Sequence, residues 1–284
     1  MEAHALTARL TNRIEFPYLV MLMSGGHCLL AVVEGVTKFK LLGTCIDTSP
    51  GDMFDKTARR LKLKSLPHLE DMCGGAAIEH LALQGDPHKF EFPSVLSHFK
   101  NCNFSFSGLQ YMAKKYIEIE EKELGLGAAT VIPSAADLCA SLQFAAVNHL
   151  GKRLYRAFLF CDMKELLPKV KRTLVLSGGV ASNSYIRNSL AYIAEYFDCE
   201  VVCPPGRLCT DNGVMIAWNG IEKLTQGVDM IYSNFDEVIA EHRSPLGVSL
   251  VDEVVEADLK VNKISTHLLK GQKTSSKGGA FTSC

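Results

Sequence analysis

An apolar strand running straight into Ser-Gly-Gly occurs twice in this chain: Tyr18 to Met23 leads into Ser24-Gly25-Gly26, and Thr173 to Leu176 leads into Ser177-Gly178-Gly179. Glycine lacks a Cβ, so backbone N–H groups after such a strand lie open to an anion, and the serine adds a hydroxyl. One copy alone reads as a tight turn. Two copies in matching positions point to a binding edge and to two related halves, each with a loop at the end of a strand. The alternation of strand, glycine turn and helix in the second half predicts an α/β architecture.

Hydrophobic spacing extends this outline. Strands are expected over residues 18–23 and 28–33 as a hairpin, then over 38–44, 173–176 and 200–203. Helices are expected over 52–63, 76–84, 108–123, 135–160, 182–197 and 212–224. Asp211 reads as the N-cap of the last of these. Residues 90–103, broken by Pro93, read as a long connection, and the glycine-, serine- and lysine-rich residues 271–284 as disordered.

With 284 residues, 47% hydrophobic and 21% charged, the chain suits one large globular domain or two modest ones. Thirty basic against 31 acidic residues leave a net charge of -1, so a nucleic-acid partner would need a local basic face. Lys56, Arg59, Arg60, Lys62 and Lys64 are the candidate, with a solvated helix face as the alternative. The ten cysteines form no C-x-x-C pair and many sit in apolar runs, which reads as buried reduced thiols. The longest apolar stretch falls short of the roughly 20 residues of a membrane span. No H-E-x-x-H is present, against a protease of that kind. His27 is a candidate anion partner, and Asp55 reads equally well as a solvated helix charge.

Taken in order, the segments Met1-Glu-Ala-His4, Ser24-Gly-Gly-His27, Gly51-Asp-Met-Phe-Asp55-Lys56, Gly74-Gly75-Ala-Ala-Ile-Glu79, Phe104-Ser-Phe-Ser107-Gly108-Leu109, Ser177-Gly-Gly179-Val-Ala-Ser-Asn183 and Cys209-Thr-Asp211-Asn-Gly213 resemble the successive motifs of the tRNA threonylcarbamoyladenosine synthases, the TsaD-like proteins once described as glycoproteases. The resemblance runs from Met1 to about Val261 and is nearest to the animal mitochondrial members. It implies an α/β, actin-like ATPase fold of the sugar kinase and Hsp70 type, two-lobed, with residues 1–130 as the remainder of a first lobe with inserted helices, 131–261 as the second lobe and 262–284 as a disordered tail.

The implied activity is acyl transfer. A partner enzyme makes threonylcarbamoyl-adenylate, and the threonylcarbamoyl group passes to N6 of the adenosine beside the anticodon of a mitochondrial tRNA. By resemblance, Leu22, Met23, Ser24, Gly25, Gly26, Asp55, Gly75 and Asn183 hold the adenylate. His4 and Asp211 match metal ligands for one divalent ion, with iron, zinc and magnesium all open; a homodimer is also left open. Met1 coincides with the methionine of the family's H-M-E-A-H. The resemblance therefore predicts a chain lacking one ligand histidine, the opening strands of the first lobe and any mitochondrial presequence, with turnover impaired. Asp52 stands where many members have Glu. An ATPase or kinase of the same fold and a non-catalytic truncated form are the alternatives.

Overall fold

Strand β1 (Tyr18–Met23) is buried at all six positions. An uninterrupted apolar run is what a strand requires when both faces of its sheet are covered. Leu19, Met21 and Met23 enter the larger core, whereas Tyr18, Val20 and Leu22 enter a smaller one on the opposite face. The computed structural model describes residues 1–127, 129–229 and 245–261; the expected disorder of 262–284 falls outside the described residues.

The sheet continues through β2 (Cys28–Val33), β3 (Phe39–Thr44), β4 (Arg172–Ser177), β5 (Cys199–Val202) and β6 (Val248–Ser249), in the order β5-β4-β1-β2-β3-β6. β1, β2 and β3 form an antiparallel meander, with a register shift between Leu30 and Ala31. β4 pairs parallel with β1, setting Leu19 opposite Leu174 and Leu22 opposite Ser177. The two Ser-Gly-Gly loops therefore follow neighbouring strands of one sheet, and the sheet crosses the division expected at residue 131.

The larger core is built on α3 (Pro50–Arg60), α4 (Gly74–Ala82), α5 (Ser107–Leu124), α6 (Ala135–Met163) and α7 (Ser184–Tyr196). α6 is apolar around much of its circumference, as a helix enclosed by others must be. The smaller core lies under α1 (Glu2–Leu6) and α2 (Ala8–Thr11). Here α1 packs on α9 (Gly213–Gln226), fixed by Trp218 Nε1–H donating to the Leu6 carbonyl at 3.1 Å, while Arg9 of α2 donates to Glu222 of α9 at 2.6 Å. Two short helices, α8 (Gly206–Cys209) and α10 (Val251–Glu256), and two 3-10 turns, Leu63–Ser65 and Gly179–Ser182, complete the described elements; with α1, α2 and β6 they are too short for a periodic signal.

The long connection after α4 is held without secondary structure. Arg153 of α6, nearly inaccessible, donates to the carbonyls of Leu96, Phe99 and Asn101 at 2.8 to 3.0 Å, and Arg156 adds a bond to Asn101 at 2.8 Å. Burial, followed by the neighbouring Arg156, brings Arg153 down to about 10. The described cysteines are all free, most of them buried, as their apolar settings predicted.

α3 is tied to α5 through Glu121. Arg60 donates to both carboxylate oxygens, at 2.8 and 2.5 Å, and Lys62 reaches one of them at 2.6 Å. Arg60's hydrogen bonds, opposed by partial burial and reinforced by Lys62, hold the Glu121 carboxyl down from 4.5 to about 2. A carboxyl lowered on folding contributes stability above its unfolded value, and that contribution is lost as the pH falls through the folded value. Glu121→Gln is therefore expected to lower stability at neutral pH and to flatten its decline between pH 4.5 and 2, read from urea denaturation across that range. An acid limb identical to the parent's would count against the pairing.

Candidate functional site

Because β1 and β4 are parallel, their carboxyl ends open on the same edge of the sheet, where α/β proteins place ligand crevices. Ser24 does not aim its hydroxyl outward. It accepts from Gly26 N–H at 3.2 Å and His27 N–H at 3.0 Å, closing the loop on itself. The N-terminus of α3 backs this loop: the Ser49 hydroxyl donates to the Gly25 carbonyl at 2.5 Å, and Gly51 N–H donates to the Ser24 carbonyl at 3.2 Å. A Cβ on Gly51 would stand 2.7 Å from that carbonyl oxygen. Gly178, at φ +92°, brings the second loop so near β1 that a Cβ there would stand 2.3 Å from Met23 O. Gly25, Gly26 and Gly75 face open space instead.

Between these loops and the start of α4 lies a cleft of about 200 Å³, with Gly25, Asp55, Gly75, Glu79, Asn183 and Thr210 in its wall. The structure thus assembles four of the residues expected to hold an adenylate. Leu22 and Met23 are core residues of β1, and Ser24 and Gly26 belong to the turn beside the wall. Asn183 is committed to two bonds: its Oδ1 accepts from Ile186 N–H at 3.0 Å, capping α7, and its Nδ2 donates to Gln143 Oε1 at 2.6 Å. His27 is exposed and outside the wall.

Glu79 was not singled out by its sequence context, where it looks like any solvated helix charge. It lies one turn after Gly75 and so on the same face of α4. Its carboxylate accepts from Ser184 N–H at 2.7 Å and from the Ser184 hydroxyl, joining α4 to the start of α7.

His4 and Asp211, 207 positions apart, meet with Nε2 and Oδ1 at 2.8 Å. Asp211 is not the cap of α9. Asn212 is, its Oδ1 accepting from Met215 N–H at 2.9 Å, which leaves the Asp211 side chain 92% exposed. The His4 carbonyl accepts from the buried Ser177 hydroxyl at 2.8 Å, and the Tyr18 hydroxyl donates to the carbonyl of the next residue, Ala5, at 3.0 Å. The pair is thereby anchored at the end of β4, with Asp211 adjacent to Thr210 of the cleft. An imidazole nitrogen and a carboxylate oxygen converging in this way fit two positions of a divalent-ion shell. No cluster of three or more His, Cys, Asp or Glu side chains exists among the described residues.

The serines of Phe104-Ser-Phe-Ser-Gly turn away from ligand chemistry. Asp47 accepts from the Ser105 hydroxyl at 2.5 Å, the Ser107 hydroxyl at 2.6 Å and Phe106 N–H at 2.9 Å. His149, brought down to about 3 by burial and then by Arg153 and Lys152, stays neutral and accepts from Ser105 N–H at 3.1 Å.

The sequence profile of the TsaD family, described as tRNA N6-adenosine threonylcarbamoyltransferase, matches residues 1–218. The human mitochondrial tRNA N6-adenosine threonylcarbamoyltransferase is 51% identical over 268 residues, covering 94% of this chain and 64% of the relative. Its Xenopus tropicalis counterpart is 48% identical over 93% of this chain and 65% of its own length. The bacterial enzyme of that name from Orientia tsutsugamushi is 41% identical over 83% of this chain and 64% of its own length. The chain thus spans less than two thirds of these relatives.

The two kinds of glycine give opposite expectations. Gly75→Val projects into open space, so the urea midpoint should hardly move while binding of AMP, followed by calorimetry, is lost. Gly51→Ala drives a methyl into backbone and should cost about 1–3 kcal/mol. Unchanged AMP affinity in Gly75→Val would overturn the expectation that Gly75 belongs to an adenylate site.

Proposed function

This chain belongs to the TsaD family of tRNA N6-adenosine threonylcarbamoyltransferases, and from that premise we propose that it transfers a threonylcarbamoyl group from threonylcarbamoyl-adenylate to N6 of the adenosine beside the anticodon of tRNA. The observation that carries the reading is the convergence of Gly25, Asp55, Gly75 and Asn183 on one cleft at the carboxyl ends of two parallel strands. The animal relatives are mitochondrial enzymes by name, which supports a mitochondrial tRNA and location. The partners are tRNA and the enzyme that makes the adenylate.

In the reaction the adenosine N6 attacks the carbamoyl carbonyl. A C–N bond forms, the bond from that carbon to the phosphate oxygen breaks with its electron pair leaving on AMP, and the amine gives up a proton to solvent. The open Gly25 and Gly75 backbone lets the nucleotide approach where a side chain would block it. Asp55, at the same wall, is placed to accept from ribose hydroxyls. Glu79 and Asn183 keep the cleft's width by locking α4 and α6 to the start of α7. His4 Nε2 and Asp211 are the groups that would hold a divalent ion, whose chemistry when bound is to neutralise phosphate or polarise a carbonyl. Fixing His4 through Ser177 makes its position part of the β4 edge.

The direct test is nucleoside analysis of tRNA incubated with the adenylate donor and this protein: threonylcarbamoyladenosine would support the transferase reading over the impaired turnover that the resemblance implies. A folded, AMP-binding protein that leaves the tRNA unmodified would overturn the transferase reading. A second test separates ligand from cap. Asp211→Ala should lower divalent-ion affinity tenfold or more, as loss of groups in a metal's shell commonly does, with the fold unchanged. Asn212→Ala should retain ion binding while costing about 1 kcal/mol of stability through the lost cap. The reverse pattern would remove Asp211 from the ligand set.

A further inference from the structure

The cations between Lys56 and Lys64 do not act as one patch. Lys56 pairs with Asp52 at 2.6 Å, and Arg60 and Lys62 are committed to Glu121. Arg59 and Lys64 are exposed and, among the described residues, enter no ion pair or hydrogen bond through their side chains. Both line a second cleft of about 660 Å³, together with Lys62 and the apolar side chains of Leu63, Met72 and Ala77. This cleft shares Asp55 and Cys73 with the glycine cleft, so the two adjoin. The geometry follows from α3. Arg59 is four residues after Asp55, hence one turn further along the same helix face.

We propose that this second cleft holds the sugar-phosphate backbone of the RNA strand whose adenosine enters the glycine cleft, with Arg59 and Lys64 paired to phosphodiester oxygens. The inference rests on the transferase reading, since it assigns the RNA to a place beside the same site. A polyanion needs such a place, because the chain's net charge of -1 offers no general attraction. Two uncommitted cations beside an apolar wall supply what a single strand requires: charge for the phosphates and a surface for sugar and base. Asp55 stands between the clefts and disfavours a lone phosphate monoester straying from the glycine loops into the basic cleft. A phosphodiester carried past it on an RNA chain is placed by the chain's own covalent reach.

The test uses the full chain, a fluorescein-labelled anticodon stem-loop RNA and AMP as probes. The doubly reversed Arg59→Glu/Lys64→Glu protein is compared with Lys169→Glu/Lys171→Glu. The latter reverses two exposed lysines before the start of β4, at the opposite edge of the sheet. At low salt the Arg59/Lys64 variant should bind RNA at least tenfold more weakly. Its plot of log affinity against log salt should be shallower by about 1.4, the value for two phosphates on a single strand. AMP affinity should be unchanged in both variants. Equal RNA binding by the two variants would overturn this docking site and leave the transferase reading standing. Loss of AMP together with RNA would assign the two cations to the nucleotide's own phosphate and overturn the proposal. No RNA binding by the parent protein would overturn the proposal and the transferase reading together.

Discussion

The parallel pairing of β1 with β4 is the contact on which the candidate site depends. It sets Leu22 beside Ser177, so both glycine loops leave the sheet at one edge and in one direction. Gly178 lets the loops approach within van der Waals limits, and Gly51 lets the start of α3 close against the first of them. Each approach would be blocked by a single methyl group. The pairing itself is driven by burial, since every residue of β1 is enclosed on both faces and separating the strand from its neighbour would return that apolar surface to water.

Carboxylates take three different parts around that edge, decided by what each can reach. Asp47 receives two hydroxyls and a backbone N–H and fixes the Phe104-Ser-Phe-Ser turn. Glu79 joins α4 to α7. Asp211 is released from helix capping by Asn212 and, among the described residues, meets His4 alone. The same separation applies to cations. Arg60 and Lys62 serve the α3 to α5 contact, Arg153 and Arg156 pin a long loop by its carbonyls, and Arg59 and Lys64 remain for a partner.

Local pattern was enough for much of the framework. The β1–β2 hairpin has the residue bounds its apolar runs indicated, and the six longer helices begin and end within three residues of their expected limits, because side-chain periodicity and glycine punctuation act over a few positions. Asp211 shows where local pattern stops. Next to a helix start it has the credentials of a cap, and so does Asn212; only the backbone path decides which oxygen reaches Met215 N–H. The five clustered cations were equally ambiguous, since Glu121, which neutralises two of them, lies about 60 positions away.

The sequence by itself determined the α/β class, the two strand-to-glycine loops, the family motifs and most element boundaries, because these depend on neighbouring side chains and on glycine's missing Cβ. Tertiary structure decided that the two loops follow adjacent strands of one sheet, that Leu22 and Met23 face cores while Gly25 and Gly75 face the cleft, that Glu79 belongs to its wall, and that His4 meets Asp211. The physical reason is sequence distance. Strand order, hydrogen-bond partners and charge pairing are chosen among residues tens to hundreds of positions apart, and packing of the whole chain selects among them.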